Sequence, residues 1–189
     1  NQSVSGDEDN GIAITLSGSD VDGDSLTFSI TADPSFGILS GSAPDLIYTP
    51  NSNFNGADSF TFTVNAGTLD STEATVGITV DPVNDAPQAD DQTLSTDEDT
   101  PLSITLTGSD VENDPLNYTV TSGPANGSLS GTAPDLTYTP DADFNGSDSF
   151  TFKVDDGELD SAEATVSITV NAVNDIPVAD PQSLQTTEN

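Results

Sequence analysis

The chain has 189 residues and a formal net charge of −32 at pH 7, with Lys153 as its only basic side chain. This charge excludes a nucleic-acid-binding surface, which depends on many Lys and Arg side chains, and it disfavours binding to anionic membranes. Like charges at this density repel one another unless cations neutralise them, so multivalent cations are the first partners to expect. Cys and His are absent, which disfavours zinc and iron–sulfur sites, whereas oxygen ligands for a hard cation are plentiful.

The first 90 residues predict an all-β module. Apolar side chains alternate with Thr, Ser or other small residues, which is the pattern of half-buried strands, and no helical periodicity of useful length occurs. In chain order, the predicted strands fall at residues 2–5, 12–16, 26–30, 37–39, 46–49, 60–64 and 76–80. Seven short strands in about 90 residues, separated by regular turns, are typical of a Greek-key β-sandwich.

Two features of these strands have competing interpretations. The Asn55-Gly56 pair after Phe54 is interpreted as a structural turn rather than a binding loop, because Asn-Gly is favoured where the backbone φ is positive. Tyr48 is predicted to face the core rather than to join a sugar-binding platform, because it alternates with Leu46 along its strand. The same reasoning applies to Tyr138.

The strongest feature of the sequence is an internal repeat with a period of 90 residues. Residues 11–90 align without a gap on 101–180, and 48 of the 80 positions are identical. Self-similarity at a fixed spacing indicates an array of like modules. We therefore predict two tandem seven-stranded Greek-key β-sandwiches arranged end to end, at residues 1–86 and 87–176. Residues 177–189 are predicted to be the first strand of a truncated third repeat, which allows strand-mediated self-association through this C-terminal tail.

Several short motifs stand at fixed places in the repeats: Val83-Asn84-Asp85-Ala86-Pro87, Asp97-Glu98-Asp99, Gly108-Ser109-Asp110, Tyr138-Thr139-Pro140, Phe144-Asn145-Gly146-Ser147-Asp148-Ser149-Phe150 and Val173-Asn174-Asp175. Together they resemble the bacterial cadherin-like tandem repeats, which have an Ig-like fold and occur in long surface and secreted proteins. The resemblance covers nearly the whole chain, twice over. It implies an extracellular or cell-surface location.

The resemblance also implies calcium sites between neighbouring repeats, built from an early glutamate, an Asn-Asp linker, an Asp-x-Asp motif, an acid before the penultimate strand and a late Asp-Gly. The residues that match these motifs at the junction are Glu8, Asp9, Asp58, Asn84, Asp85, Asp110, Glu112 and Asp156. Further candidates, one period after the first-repeat and linker residues, are Glu98, Asp99, Asp148, Asn174 and Asp175. Calcium takes six to eight oxygen ligands, so such a group of acids suits it. The alternative is that these acids only keep the protein soluble in a salty habitat.

Asp20, Asp22 and Asp24 form a further candidate group. Their spacing resembles the opening of an EF-hand loop, but Thr31 replaces the bidentate Glu that the twelfth position requires. The second copy also has Asn113 in place of the central loop glycine. We interpret the three aspartates as a turn that contributes ligands to a calcium site shared with a preceding repeat.

Composition and motifs together favour a non-catalytic role. Without His or Cys, neither a Ser-His-Asp triad nor a thiol nucleophile is available, and a glycosidase-type carboxylate pair needs a deep cleft. No apolar run approaches the roughly 18 residues needed to span a bilayer, so no direct membrane insertion is expected. We predict calcium-binding spacer repeats, partnered by adjacent repeats, that rigidify the stalk of a bacterial surface adhesin or large secreted protein. The alternative is a calcium-dependent module that recognises polysaccharide or another cell-surface protein.

Overall fold

The computed structural model describes residues 1–177 and 179, and it divides into two compact units, Asn1–Asn84 and a second that begins at Asp85. The predicted strand of a third repeat, with the self-association assigned to it, lies almost entirely outside the described residues. Every regular element in the described part of the chain is a β-strand. That part contains no helix long and apolar enough to cross a membrane.

Unit 1 folds as the predicted sandwich. Across residues 1–84, all of which are described, its seven strands are β1 (Gln2–Asp7), β2 (Ile12–Thr15), β3 (Thr27–Ala32), β4 (Gly37–Ser42), β5 (Asp45–Pro50), β6 (Gly56–Asn65) and β7 (Ala74–Asp81). They form two sheets, with strand orders β1-β7-β6-β3 and β2-β5-β4. β1 pairs with β7 in parallel, and the remaining pairs are antiparallel.

Unit 2 repeats this arrangement and adds a small two-stranded sheet. Its strands within the described range are β8 (Gln88–Ala89), β9 (Gln92–Asp97), β10 (Leu102–Thr105), β11 (Gly108–Ser109), β12 (Asn117–Ser122), β13 (Gly127–Thr132), β14 (Asp135–Pro140), β15 (Gly146–Asp155) and β16 (Ala164–Asn171). The sheets β12-β15-β16-β9 and β10-β14-β13 match those of unit 1. The pair of β8 with β11 was not predicted. It depends on the glycine at 108, because a Cβ there would lie only 2.7 Å from the carbonyl oxygen of Gln88.

Each unit has its own core, formed by the inward residues of the period-two pattern. In unit 1 the buried core residues are Ile12, Ile14, Leu16, Leu46, Tyr48, Phe60, Phe62, Val76, Ile78 and Val80. Tyr48 and Tyr138 are both 0% exposed, which confirms that they face the core. Gly56 has a φ of 127°, as expected for the turn interpretation of the Asn-Gly pair.

The parallel strand pair in each unit gathers residues at the carboxyl ends of its two strands. In unit 2, the register places Asp97 at the end of β9 opposite Asn171 at the end of β16. In unit 1, Asp7 at the end of β1 lies opposite Asp81 at the end of β7. Because both paired strands run in the same direction, the residues that follow them emerge side by side. Eight candidate ligands follow these strand ends: Glu8, Asp9, Asn84 and Asp85 in the first repeat and the linker, and Glu98, Asp99, Asn174 and Asp175 one period later.

Candidate metal centre

Three exposed carboxylates lie close together near the carboxyl ends of β9 and β16 in unit 2. Asp99 follows β9, Asp175 follows β16, and Asp143 lies in the loop between β14 and β15. Carboxylate oxygens of all three lie within 4.8 Å of one another. Oxygens that share one calcium ion at about 2.4 Å are at most about 5 Å apart. The spacing therefore fits one shared cation.

The loops that carry this cluster are held by hydrogen bonds of their own. Glu98 is buried, and its Oε1 accepts a hydrogen bond from the backbone N–H of Val173. The side-chain amide of Asn145 donates to Glu98 Oε2 at 3.4 Å. The backbone N–H of Asp143 donates to Asp99 Oδ1 at 3.2 Å, and both residues adopt left-handed backbone conformations, with φ of 58° and 57°. The protein thus positions these carboxylates through its own backbone.

The electrostatics of the cluster favour a cation. Desolvation, together with the like charges of Asp143, Glu98 and Asp99, raises the pKa of Asp175 above its usual value. A raised carboxyl pKa means that the ionised form is disfavoured where it stands. A divalent cation bound among these oxygens would replace that repulsion with attraction.

Glu8 in unit 1 provides the strongest single indication of a cation site. Its side chain is 1% exposed, and its Oε1 accepts a hydrogen bond from the backbone N–H of Val83 at 2.8 Å. Its Oε2 is also buried and has no hydrogen-bond partner among the described residues. The adjacent Asp9 accepts a 3.2 Å hydrogen bond from the N–H of Asn53, as Asp99 does in unit 2. Burying a carboxylate oxygen without a donor or a cation is costly, so a hard cation fits this position.

A second group of predicted ligands lies near the start of unit 2. The backbone N–H of Asp85 donates to Glu112 Oε2 at 3.4 Å. Asp110 Oδ1 accepts a hydrogen bond from the N–H of Asp114 at 2.9 Å, while its Oδ2 is buried and has no hydrogen-bond partner within the described ranges. The structure therefore places the linker aspartate beside the acidic turn, and the sharing of calcium by these residues stays a prediction.

The corresponding turn in unit 1 lies beside a cleft. Asp20 Oδ1 accepts hydrogen bonds from the backbone N–H groups of Asp22 and Asp24, at 2.9 Å and 3.2 Å. With Asp70, these residues line a cleft of about 320 Å³. Thr31, at the twelfth position, lies in β3 and has no carboxylate, so the segment does not form an EF-hand loop. The segment is a turn, and its contribution of ligands to a calcium site shared with a preceding repeat stays a prediction.

The contacts of three other predicted ligands do not indicate a metal site. Asp156 uses Oδ1 to accept hydrogen bonds from the N–H groups of Glu158 and Leu159, both at 2.7 Å. Asn84 is half-buried. Asn174 is exposed, and its side-chain amide donates to the carbonyl oxygen of Asp175 at 3.2 Å. No metal-ligating geometry follows from these contacts.

Asp148 was predicted as a ligand, but the structure uses its carboxylate inside unit 2. Its Oδ1 accepts hydrogen bonds from the backbone N–H groups of Ala125 and Ser149, each at 2.9 Å. Its Oδ2 accepts from the N–H of Asn126 and from the buried hydroxyl of Tyr138, again at 2.9 Å. An ionised carboxylate has about four acceptor sites, so these four donors saturate it. We therefore leave Asp148 out of the metal centre.

Asp58 has the same role in unit 1 and is left out for the same reason. Its four donors, at 2.8–3.0 Å, are the N–H groups of Ser35, Phe36 and Ser59 and the hydroxyl of Tyr48. Burial alone would raise the pKa of Asp58, but the four hydrogen bonds outweigh it and hold the pKa below its usual value. The pKa of Asp148 is lowered by the same balance. We call each carboxylate with its four donors a carboxylate clamp.

The lowered pKa values predict that both clamps weaken in acid. Their pKa in the unfolded chain is about 3.9 and lies lower in the folded protein, so the stability they contribute is complete above the unfolded value and is lost as pH falls through the folded value. Protonation of the other acids relieves their mutual repulsion, so it stabilises the folded protein as pH falls. The readout is therefore the free energy of unfolding of the parent minus that of Asp148→Asn, measured in urea. We expect this difference to shrink below about pH 4, and an equal difference at pH 7 and pH 2 would contradict the assignment.

Sequence reasoning missed Asp143 and Asn145, which flank Phe144 in the cluster of unit 2. The Phe-Asn-Gly motif was interpreted as a turn only. A usable signal was the residue directly before it, which is Asp143 in one repeat and Asn53 in the other. Asp and Asn are the residue types that most readily adopt positive φ, and both residues do so here.

Comparison with known proteins gives matches along most of the chain. The bacterial Ig domain family matches residues 1–79 and 84–169. Integrin beta-like proteins A and B of Dictyostelium discoideum are 33% and 32% identical to this chain over 195 and 129 residues, covering 79% and 59% of it. The chain spans only 10% and 7% of the length of these two relatives.

Solved structures give matches of lower similarity. An endo-fucoidan hydrolase of glycoside hydrolase family 107 is 29% identical, with 92% of this chain and 28% of that chain covered and a TM-score of 0.39. The EC1-2 fragment of human mucin-like protocadherin is 21% identical, with 91% and 95% covered and a TM-score of 0.45. The protocadherin gamma B2 extracellular cadherin domains 1-5 are 16% identical, with 92% and 39% covered and a TM-score of 0.47.

Proposed function

The chain belongs to the bacterial Ig domain family, and from this premise we propose that its two repeats are non-catalytic, calcium-binding spacers of an extracellular or cell-surface protein. Calcium bound by the acidic groups stiffens a row of such repeats, which forms the stalk of a bacterial surface adhesin or a large secreted protein. The observation that carries the proposal is the buried carboxylate of Glu8, whose Oε2 has no donor among the described residues.

The donor set supports calcium over other metals. All candidate ligands offer carboxylate, amide or backbone oxygen, which is the chemistry of hard cations. Magnesium requires a tight octahedral shell, whereas calcium accepts the irregular sets of carboxylates that loops supply. Calcium would add positive charge where Asp99, Asp143 and Asp175 repel one another.

Two hydrogen bonds hold the backbone near the connection, one within each unit. In unit 1, Glu8 Oε1 holds the backbone N–H of Val83, just after β7. In unit 2, Glu112 Oε2 holds the backbone N–H of Asp85. We propose that carboxylates near these two anchors share calcium, which limits rotation of one repeat against the next. Without calcium, the anchors remain and the connection bends.

Small-angle X-ray scattering tests the spacer role through Asp85→Ala and Asp110→Ala. We expect calcium to increase the maximum dimension of the parent, a chelator to reverse the change, and magnesium to substitute poorly. Each variant should show a smaller calcium-dependent change, because it lacks a proposed ligand while both cores remain intact. Circular dichroism would verify that the variants are folded.

Asp135→Ala is the matched control for these variants. Asp135 is exposed, and its side chain accepts a hydrogen bond from Thr105 Oγ1 at 2.8 Å, so the change removes one charge outside the proposed sites. Equal scattering of parent and Asp110→Ala in calcium would refute the spacer mechanism. Calorimetric binding of calcium without a change in scattering would leave the metal assignment intact and refute only its mechanical consequence.

A further inference from the structure

One face of unit 1 differs in chemistry from the same face of unit 2. Ile38 and Ile47 point outward from the sheet β2-β5-β4, and Phe36 directly precedes β4; Phe36, Ile38 and Ile47 are 47%, 65% and 47% exposed. The equivalent positions of unit 2, which follow from the 90-residue period, hold Asn126, Ser128 and Thr137. The fold therefore does not require apolar residues at these positions.

The three apolar side chains lie on one continuous surface. Ile38 in β4 and Ile47 in β5 are diagonal neighbours in the antiparallel register, and diagonal residues on one face of a sheet are within reach of each other. Ala13 in β2 lies directly opposite Ile47 on its other side. Phe36 continues the outward alternation from Ile38, and its ring stacks on Phe54 with centroids 4.6 Å apart. We call Ala13, Phe36, Ile38 and Ile47 the apolar face.

The apolar face is poor in charge, as is the same face of unit 2, where Asp135 is the one outward acid of the fully described strands β10, β13 and β14. Within residues 1–84, all of them described, the outward positions of β2, β4 and β5 include a single acid, Asp45. Its Oδ1 accepts a hydrogen bond from Thr15 Oγ1 at 2.8 Å. Two molecules that each carry a net charge of −32 repel strongly wherever acids face acids. A second copy therefore meets little charge repulsion at this face.

We propose that the apolar face is an interface on which unit 1 of one chain docks against unit 1 of a second copy. A two-fold axis places the same patch on both sides, so apolar side chains meet apolar side chains and no complementary charge is needed. Three short strands offer less than the roughly 800 Å² per partner of a standard interface, so the association is weak. It strengthens as salt screens the repulsion between the acidic remainders of the two chains.

The test replaces the apolar face with the residues that unit 2 already has at the same positions. The variant Phe36→Asn, Ile38→Ser, Ile47→Thr keeps the fold, because unit 2 builds the same sheet with those side chains. Sedimentation velocity in a chelator, from micromolar to millimolar protein and at low and high sodium chloride, excludes bridging by calcium. The parent should associate with rising concentration, more strongly in high salt, and the triple variant should associate at least about tenfold more weakly.

The reverse exchange provides a gain-of-function control. Introducing Asn126→Phe, Ser128→Ile and Thr137→Ile into the triple variant should restore self-association through unit 2. A parent that stays monomeric at every concentration and salt, or a triple variant that associates as strongly as the parent, would overturn the proposal. A monomeric parent that binds insoluble polysaccharide through these residues would identify a glycan as the occupant and would likewise refute docking of a second copy.

Discussion

Replacing Asp148 with alanine is expected to lower the free energy of unfolding of unit 2 by about 3–5 kcal/mol. The change removes the acceptor of four hydrogen bonds at once, one of them from the fully buried hydroxyl of Tyr138. Leaving one buried donor unsatisfied costs about 1–3 kcal/mol. The backbone donors of Ala125 and Asn126 lie in a loop that water reaches, and the Tyr138 hydroxyl keeps a second acceptor, the carbonyl oxygen of Asn126 at 3.3 Å, so the total stays below the simple sum.

Two controls separate the clamp from general effects of substitution. Tyr138→Phe removes one of the four donors and should cost about 1 kcal/mol, because the other three bonds to Asp148 remain. Asp135→Ala removes an exposed acid and should change stability by no more than about 0.5 kcal/mol. Hydrogen exchange on unit 2 gives the stability of that unit separately, which matters because a protein with two units need not unfold in one step. A loss below about 1 kcal/mol for Asp148→Ala would refute the clamp.

The clamp explains how a short loop is fastened to the core. Asp148 lies at the start of β15, and its donors come from the loop that joins β12 to β13 and from Tyr138 in β14. One carboxylate therefore joins both sheets of the sandwich. Unit 1 repeats the arrangement with Asp58 and Tyr48. An acid that the sequence suggests for metal binding is used in both repeats as a structural acceptor.

The alternation of apolar and polar residues was enough to predict the seven strands of each sandwich and the core, although not the short pair β8 and β11. Inward residues such as Phe60 and Phe62 are buried because each strand has one face against the other sheet, and that periodicity is written in the sequence. The same alternation predicts that Asp58 faces inward, which argues against a metal ligand. It stands at the inward parity of β6, two positions before Phe60, where a carboxylate is stable only if donors surround it. The resemblance to cadherin motifs led to the metal-ligand interpretation instead.

The sites themselves were harder to predict, because they depend on contacts between loops. The proximity of Asp99 to Asp175 follows from the parallel pairing of β9 with β16, and alternation does not specify which strands pair. Asp143 joins them from a third loop through a positive φ, which depends on local backbone geometry. The apolar face was hard to predict for the same reason. Ile38 and Ser128 differ plainly in the sequence, but only the sheet register places Ile38 beside Ile47.

Calcium is expected to reverse the order of stability of the parent and the variant Glu8→Gln. In the variant, the glutamine carbonyl still accepts the hydrogen bond from the N–H of Val83, while the buried negative charge at Oε2 disappears. Without calcium, the free energy of unfolding of unit 1 should therefore rise by about 1–2 kcal/mol. With calcium at about 100 times its dissociation constant, the parent gains about 2.7 kcal/mol for each site, and the variant lacks the carboxylate that would contribute to this gain.

Glu98→Gln in unit 2 is the matched comparison for Glu8→Gln. Glu98 Oε2 already faces a donor, the amide of Asn145 at 3.4 Å, whereas Glu8 Oε2 has no partner within the described residues. The rise in stability without calcium should therefore be smaller for Glu98→Gln, and the amide that it introduces would face another amide. Hydrogen exchange in a chelator and in calcium measures both units of each variant. If Glu8→Gln gained as much stability from calcium as the parent, Glu8 would not be a calcium ligand. If the variant were less stable than the parent in the chelator, the buried charge of Glu8 would not be destabilising without calcium.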